Sequence, residues 1–254
     1  FFANVVAFVL YAQFDQRRFS RVLVTAAAVA TCLALAVSGS RSALAGVAVV
    51  VLTAIIAVAI AKPKEITKFT KFFFVAGIAV LVASQFSVFD EGTAVMSQRI
   101  ENASNTEGGF EGFILRFFGE FVSGYQAVAA SELTGAGLGV GTNAGSALLS
   151  GKVTYLLAEG EWARMILEIG PFMGIIFILM RLGLAVWLFG RSLTAASSGK
   201  MLPVLLFGAS GLTIVSGQWG QPTALGFAVL GGGLILAALR AVPEPQPDSK
   251  AGTS

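Results

Sequence analysis

The sequence "SGSRSALAG", residues 38–46, lies inside an apolar stretch that runs from Val22 to Ala61. Arg41 is the only charged residue in that stretch. About 20 apolar residues are enough to cross the hydrocarbon core of a bilayer, so the stretch predicts two membrane helices joined by a turn near residue 40. An arginine in lipid is costly, which makes Arg41 a candidate functional residue.

The composition of the whole chain also favours a membrane protein. Of 254 residues, 56% are hydrophobic and 12% are charged, and the mean hydropathy is +0.81. An ordinary soluble domain is about 25% charged. The chain has no histidine and a single cysteine, Cys32, which excludes a disulfide within it and the commonest metal ligands. We therefore expect chemistry that uses carboxylates, arginines, hydroxyls and backbone groups, with no metal and no cofactor.

Apolar segments bounded by polar clusters predict an all-α fold, a polytopic transmembrane helix bundle in residues 1–240. The first segment is short for a span, and the chain begins with Phe1 and no charged leader. We expect it to be the C-terminal half of a larger membrane protein. The proline-rich polar tail, residues 241–254, is predicted to be a disordered cytoplasmic segment. The predicted helices are 2–12, 22–38, 43–61, 72–88, 163–189, 202–217 and 223–240.

The positions of lysine and arginine predict the orientation. If the helices alternate in direction, the basic loops all lie on one side, which the positive-inside rule assigns to the cytoplasm. Residues 62–71 and 192–200 are then inside, and the long loop 89–158 is outside. Arg181 is predicted to mark the cytoplasmic end of its helix, with "LGLAVWLFG", residues 182–190, along the membrane interface.

The long outward loop contains "FEGFILRFFGEFVSGYQAVAA", residues 110–130. Its phenylalanines recur at helical spacing around Arg116 and Glu120, which predicts an amphipathic helix on the outer leaflet or one that caps the bundle. "TGAGLGVGTN", residues 134–143, follows. Its alternating glycines, Gly137 and Gly139 among them, could bring amide donors to a phosphate, although a tight surface turn is an equally good interpretation.

"AEGEWARMILEIGPFMG", residues 158–174, comes next. On a helix that begins near Glu159, the side chains of Glu161, Arg164 and Glu168 share one face. Such a cluster at the mouth of a membrane helix favours a water-filled cavity, and an interfacial ladder of salt bridges is the alternative.

Taken in order, "SGSRSALAG", the outward loop with "SQRIENA" and "GAGLGVGTN", and "EGEWARMILEIGPFMG" resemble the C-terminal half of the O-antigen ligase and polymerase superfamily, over about residues 20–190. Members transfer a glycan from a polyprenyl diphosphate carrier to an acceptor hydroxyl at the outer face of the bacterial inner membrane. The resemblance implies a GT-C-like fold and a periplasmic active face. It also implies a lipid-linked glycan donor, a glycan or lipid-linked acceptor and membrane lipids as partners, without nucleic acid.

Carried over by position, the resemblance implies site residues. The family's ligases have a histidine near the position of Glu159, and its absence here favours the polymerase or exopolysaccharide-assembly branch. Glu159, and after it Glu161, is then the expected base of a metal-independent inverting glycosyltransferase. The resemblance assigns carrier diphosphate binding to Arg41, Arg99, Arg116 and Arg164, and supporting roles to Ser40, Ser42, Glu168, Gly137 and Gly139.

Two other classes of function remain open. Intramembrane charges also serve secondary transporters, although the charges predicted here gather at one membrane face. A non-catalytic membrane assembly subunit is the third interpretation.

Overall fold

The computed structural model describes residues 2–14, 19–38, 40–61, 110–154 and 156–240. The regular secondary structure in these ranges is entirely α-helical, which confirms the predicted all-α class for this part of the chain. The helices are α1 (Phe2–Phe14), α2 (Arg21–Ser38), α3 (Arg41–Ala61), α4 (Phe110–Ala130), α5 (Asn143–Ser150), α6 (Glu161–Ser197), α7 (Leu202–Ser216) and α8 (Pro222–Arg240).

Most predicted helices agree with the observed ones to within a few residues. α4 coincides with the predicted helix 110–130, whereas α5 was not predicted. The predicted helix 72–88 and Arg99 lie outside the described residues. By length and composition alone, α6 and α8 could cross a membrane, and α1, α2, α3 and α7 contain shorter apolar stretches.

Ser40, one of the two serines beside Arg41, has a structural role at the start of α3. Ser40 precedes the first turn, and its Oγ accepts a hydrogen bond from the Ala43 amide at 3.3 Å. A serine at this position satisfies an amide that the helix itself leaves free. Ser40 therefore has a structural role as the N-cap, while the side chains of Arg41 and Ser42 lie outside the described part of the chain.

Helix α7 lies at the centre of the packing and contacts α1, α3, α6 and α8. Small residues allow these close approaches. A Cβ at Gly208 of α7 would come within 2.7 Å of the Thr53 Oγ1 of α3, and a Cβ at Gly231 of α8 would overlap the Ser210 hydroxyl of α7. The surrounding core is made of aliphatic side chains, among them Leu10, Val50, Leu188, Leu205 and Ile235.

The register of the helices places the start of α3 near the end of α7. Gly46 of α3 lies against Ala3 of α1, and the neighbouring Asn4 accepts a hydrogen bond from Ser210 of α7 at 3.2 Å. Thr53, further along α3, lies against Gly208, which comes earlier in α7. The two helices therefore run in opposite directions, and the N-terminus of α3 lies at the same end of the bundle as loop 217–221.

Helix α6 reverses direction at Gly170. Gly170 has φ 81° and ψ 164°, which is not helical, and Pro171 follows it. Residues 161–169 form a first arm and residues 171–197 a second. A Cβ at Gly174 would come within 2.8 Å of the Ile166 Cα, so the arms touch close to the turn.

The reversal corrects the prediction for Arg181. On a straight helix Glu161 and Arg181 would be about 30 Å apart, yet Arg181 Nη1 donates to Glu161 Oε1 at 3.1 Å. The helix continues to Ser197, so Arg181 does not end it and residues 182–190 are not a separate interfacial segment. The prediction failed because a helix was expected from hydropathy alone, without a break at the Gly-Pro pair.

Replacing Gly170 with alanine should destabilise the protein by about 3 kcal/mol or more. The positive φ is unfavourable for alanine, and the new Cβ would overlap the Leu133 carbonyl oxygen. Thermal unfolding in detergent measures the effect. Gly183→Ala is the matched control, because a Cβ at Gly183 meets no atom within 4 Å. Equal melting temperatures for the two variants would contradict the role of Gly170.

Candidate functional site

The turn at Gly170 is held by the glycine-rich loop 131–142. The main-chain carbonyls of Leu167 and Glu168, at the end of the first arm, accept hydrogen bonds from the amides of Ala136 at 2.8 Å and Gly137 at 2.9 Å. These carbonyls have no partner within their own arm because the helix ends there. The loop thus acts as a C-terminal cap supplied by a distant part of the chain.

The glycines of the loop are required by this close approach. Gly135 has φ 71°, and a Cβ on it would overlap the Glu168 carbonyl. Gly141 is next to the side chain of Arg164, where a Cβ would come within 2.7 Å of the Arg164 Cγ. The backbone of the loop therefore packs against the first arm of α6 itself.

This geometry bears on the predicted phosphate-binding role of the loop. The Gly137 amide donates to Glu168 O, and the Gly141 amide donates to Glu168 Oε1 at 2.9 Å. Gly139 has φ 88°, and its carbonyl accepts from the Thr142 hydroxyl. The amides of Gly137 and Gly141 are used within the protein, so the structure favours the tight turn over a phosphate cradle.

Next to this loop lies a cluster of four buried charges, Glu161, Arg164, Glu168 and Arg181. The most exposed of them, Arg164, has 7% of its surface accessible, and the other three have 1% each. Arg164 bonds Glu161 through Nη2 at 2.9 Å and Glu168 through Nη1 at 2.8 Å. Arg181 completes the cluster through Glu161. Two carboxylates and two guanidinium groups cancel in formal charge.

The observed pairing resembles the predicted ladder of salt bridges more than an open charged cavity. Arg164 reaches Glu161 and Glu168 from one face of the first arm, as the sequence spacing predicted. Arg164 donates to Glu161 from Nε to Oε2 and from Nη2 to Oε1, both at 3.0 Å. The geometry is the two-pronged one that arginine forms with carboxylates.

Arg181 connects the cluster to the end of α7. Its Nε donates to the Ile214 carbonyl at 2.9 Å, and its Nη2 donates to the Gly217 carbonyl at 2.8 Å. The guanidinium also lies 3.9 Å from the centre of the Trp219 ring. Arg181 therefore satisfies carbonyls at a helix C-terminus and stacks on an aromatic ring at the same time.

Glu161 is surrounded by donors. Its carboxylate accepts from Arg164 and Arg181 and also from the Trp219 amide at 3.1 Å. A proton arriving at Glu161 would have to displace one of these donors. As a candidate base, Glu161 therefore ranks below Glu159, whose side chain is exposed.

Helix α4 fixes the beginning of the first arm. Glu120 Oε2 accepts from the Trp162 amide at 3.3 Å and so caps the arm. The Phe121 and Trp162 rings meet edge to face at 4.6 Å. Trp162 donates through Nε1 to the Val215 carbonyl at 3.1 Å, which ties the arm to α7.

A small pocket opens where these elements meet. Its cavity volume is about 10 Å³, which is room for about one water. A larger ligand must bind at the rim or separate the surrounding loops. The pocket is lined by Gly141, Thr142, Asn143, Ala158, Glu159, Glu161, Arg164, Gln218, Gly220 and Gln221.

The structure brings together some of the predicted site residues. Glu159, Glu161 and Arg164 line one pocket, and Glu168 lies behind Arg164. Gly137 belongs to the capping loop, and Ser40 is the N-cap of α3. The backbone of Arg116 is in α4, but its side chain lies outside the described part of the chain.

Sequence reasoning missed Arg181 and loop 217–221, "GQWGQ". Both had a signal in the sequence. Arg181 is a lone arginine in the apolar run 171–190, which is the criterion that selected Arg41. The loop is a polar, tryptophan-containing cluster between two apolar segments at the predicted outer face.

Comparison of the chain with protein-family models, with curated proteins and with solved structures gave no match.

Replacing Arg181 with methionine should destabilise the protein by about 3–5 kcal/mol, because the buried cluster is then left with two carboxylates and one guanidinium. Arg191→Met, at an exposed position of the same arm, should change stability by less than about 1 kcal/mol. Unfolding in detergent measures both.

The double variant Glu161→Gln with Arg181→Met restores the charge balance, since Arg164 and Glu168 remain. It should lose less stability than the sum of the two single variants. Additive losses would show that Glu161 and Arg181 act independently.

Proposed function

We propose that this chain belongs to a membrane glycosyltransferase that moves a glycan from a polyprenyl diphosphate carrier to an acceptor hydroxyl, in the manner of O-antigen polymerases and ligases. The observation that carries the proposal is the exposed carboxylate of Glu159 at the rim of a pocket whose floor is the neutralised Glu161–Arg164 pair. In this proposal the fold is a polytopic GT-C-like bundle in the bacterial inner membrane, with the pocket at the periplasmic face.

The helix lengths support a membrane setting. α2, α3 and α8 have 18, 21 and 19 residues, which corresponds to about 27–32 Å and is close to the thickness of the hydrocarbon core. Arg21, Lys200 and Arg240 lie near the helix ends opposite loop 217–221. The positive-inside rule then assigns the pocket end to the outside.

The proposed reaction uses Glu159 as the general base. Glu159 takes the proton of the acceptor hydroxyl while the hydroxyl oxygen attacks the anomeric carbon. The bond from that carbon to the diphosphate oxygen breaks, with inversion at the carbon. Negative charge accumulates on the departing diphosphate. Arginines suit this task because they stay ionised and bind phosphate with two parallel N–H groups.

Arg41 is the principal candidate for diphosphate binding, because it opens α3 at the pocket end of the bundle. A helix N-terminus also favours an anion. Arg116 and Arg99 are further candidates in the outward loop. Arg164 already bonds Glu161 and Glu168, so a direct phosphate contact from it would require one of these pairs to open.

A secondary transporter is the second candidate function. It is favoured by the break in α6 at Gly170 and by the buried Glu161–Arg181 pair, since transporters often place broken helices and paired charges at the substrate site. Solute flux in liposomes, measured beside carrier-dependent glycan transfer, separates these functions, and a protein with neither activity would be an assembly subunit.

The proposed topology predicts that residue 152 is outside and residue 197 inside. In a Cys32→Ala background, Lys152→Cys should react with an impermeant maleimide in intact spheroplasts, whereas Ser197→Cys should react only after the membrane is permeabilised. Both positions are exposed in the structure, so access across the membrane decides the result. Labelling of Ser197→Cys alone in intact cells would reverse the orientation.

The proposed mechanism predicts that Glu159→Gln lowers turnover per folded molecule by about 100-fold or more. Glutamine keeps the size of the side chain but cannot accept the proton. Carrier affinity should be largely unchanged, since the diphosphate is bound elsewhere. Glu132→Gln is the matched control, as an exposed glutamate of the same outward loop. Turnover like that of the control would remove Glu159 as the base.

A further inference from the structure

Loop 217–221 joins α7 to α8 and lies over the buried charges, yet the proposed reaction gives it no role. Several bonds fix it. Arg181 donates to the Gly217 carbonyl at 2.8 Å, and the Trp219 amide donates to Glu161 at 3.1 Å. Trp219 Nε1 donates to the Thr213 carbonyl at 3.1 Å. The backbone of the loop is therefore anchored on the ion cluster and on the end of α7.

One side chain of this anchored loop reaches the segment that carries the proposed base. Gln218 Nε2 donates to the main-chain carbonyl of Glu159 at 2.8 Å. The other end of the same amide, Gln218 Oε1, accepts from Gln221 Nε2. An amide bonded at both ends has a fixed orientation, since its oxygen can only accept and its nitrogen can only donate.

Glu159 needs such support because of where it lies. It belongs to the non-helical residues 156–160 that precede α6, and Gly160, a residue without a side chain, follows it. No helical hydrogen bond constrains Glu159, and its side chain is exposed. A shift of about 1 Å in a reacting group can reduce the rate by about 100-fold.

We propose that Gln218 is a positioning residue for Glu159. It holds the main chain of residue 159 against loop 217–221 and so directs the carboxylate towards the acceptor hydroxyl at the rim of the pocket. This inference rests on the proposed function for the role of Glu159 as base, but the contact itself can be tested without any assay of activity.

The activity test uses Gln218→Met, which keeps the length of the side chain and removes the N–H donor. Turnover per folded molecule of the full-length protein should fall about tenfold, with the KM for the lipid-linked donor unchanged. Gln126→Met is the matched control, at an exposed position of α4. In a Glu159→Gln background, Gln218→Met should have no further effect, because the group that it positions is already absent.

A structural readout accompanies the activity. In a protein with Cys32→Ala and Glu159→Cys, an impermeant maleimide labels only position 159. The rate of this labelling should rise several-fold when Gln218→Met is added, and it should not change when Gln126→Met is added. If this difference appears but the wild-type protein transfers no glycan, the proposed function is wrong while the Gln218 contact is supported.

Other results would overturn the inference itself. Active wild-type protein with unchanged labelling in Gln218→Met would show that the contact does not restrain residue 159. Changed labelling with normal turnover would show that the restraint does not serve the reaction. An equal further loss of turnover in the Glu159→Gln background would show that Gln218 acts by another route.

Discussion

The ion pair between Glu161 and Arg181 is the contact on which the site depends. A buried ion pair is poor evidence for stability, because desolvation of both charges offsets much of their attraction. Its consequence here is conformational. A straight α6 would hold the two side chains about 30 Å apart, so Arg181 would lack its carboxylate partner among apolar residues while Glu161 kept only Arg164. The pair therefore favours the reversed form of α6, in which its arms lie side by side.

The reversal, in turn, leaves backbone groups that need partners. The first arm ends at Gly170, so the helix supplies no amide to bond the carbonyls of Leu167 and Glu168. The glycine-rich loop supplies these amides, and without it the two carbonyls would be buried with no hydrogen-bond donor. Arg181 does the same for α7 by bonding the Ile214 and Gly217 carbonyls. Two helix ends and two loops are thus joined around one neutral cluster, and the pocket lies where they meet.

The sequence was sufficient for the class of the fold and for most helix positions, because apolar runs and polar breaks report directly on burial in a helix bundle. Glu161, Arg164 and Glu168 were also grouped correctly, since their spacing puts them on one face of a helix. Arg181 was misplaced because its partner is 20 residues away, and only the turn at Gly170 brings the two together. The alternating glycines were ambiguous for a similar reason: glycine permits close approach to a phosphate and to another segment of the same chain equally well.

The internal neutrality of the cluster affects how the pocket could work. Arg164 faces the pocket, but its charge is matched by Glu161 and Glu168, so the pocket floor offers little net attraction to a diphosphate. In the proposed reaction, the carrier's diphosphate would instead be bound at the N-terminus of α3, where Arg41 lies. The exposed carboxylate of Glu159 lies at the rim of the pocket, so the base and the diphosphate would be held by different parts of the chain. Such separation suits an inverting transfer, because the base and the leaving group must lie on opposite sides of the anomeric carbon. A pocket with an uncompensated arginine beside Glu159 would hold that carboxylate as an ion pair and weaken it as a base. In the proposed reaction, the two glutamates bonded to Arg164 would therefore keep its charge from pairing with Glu159.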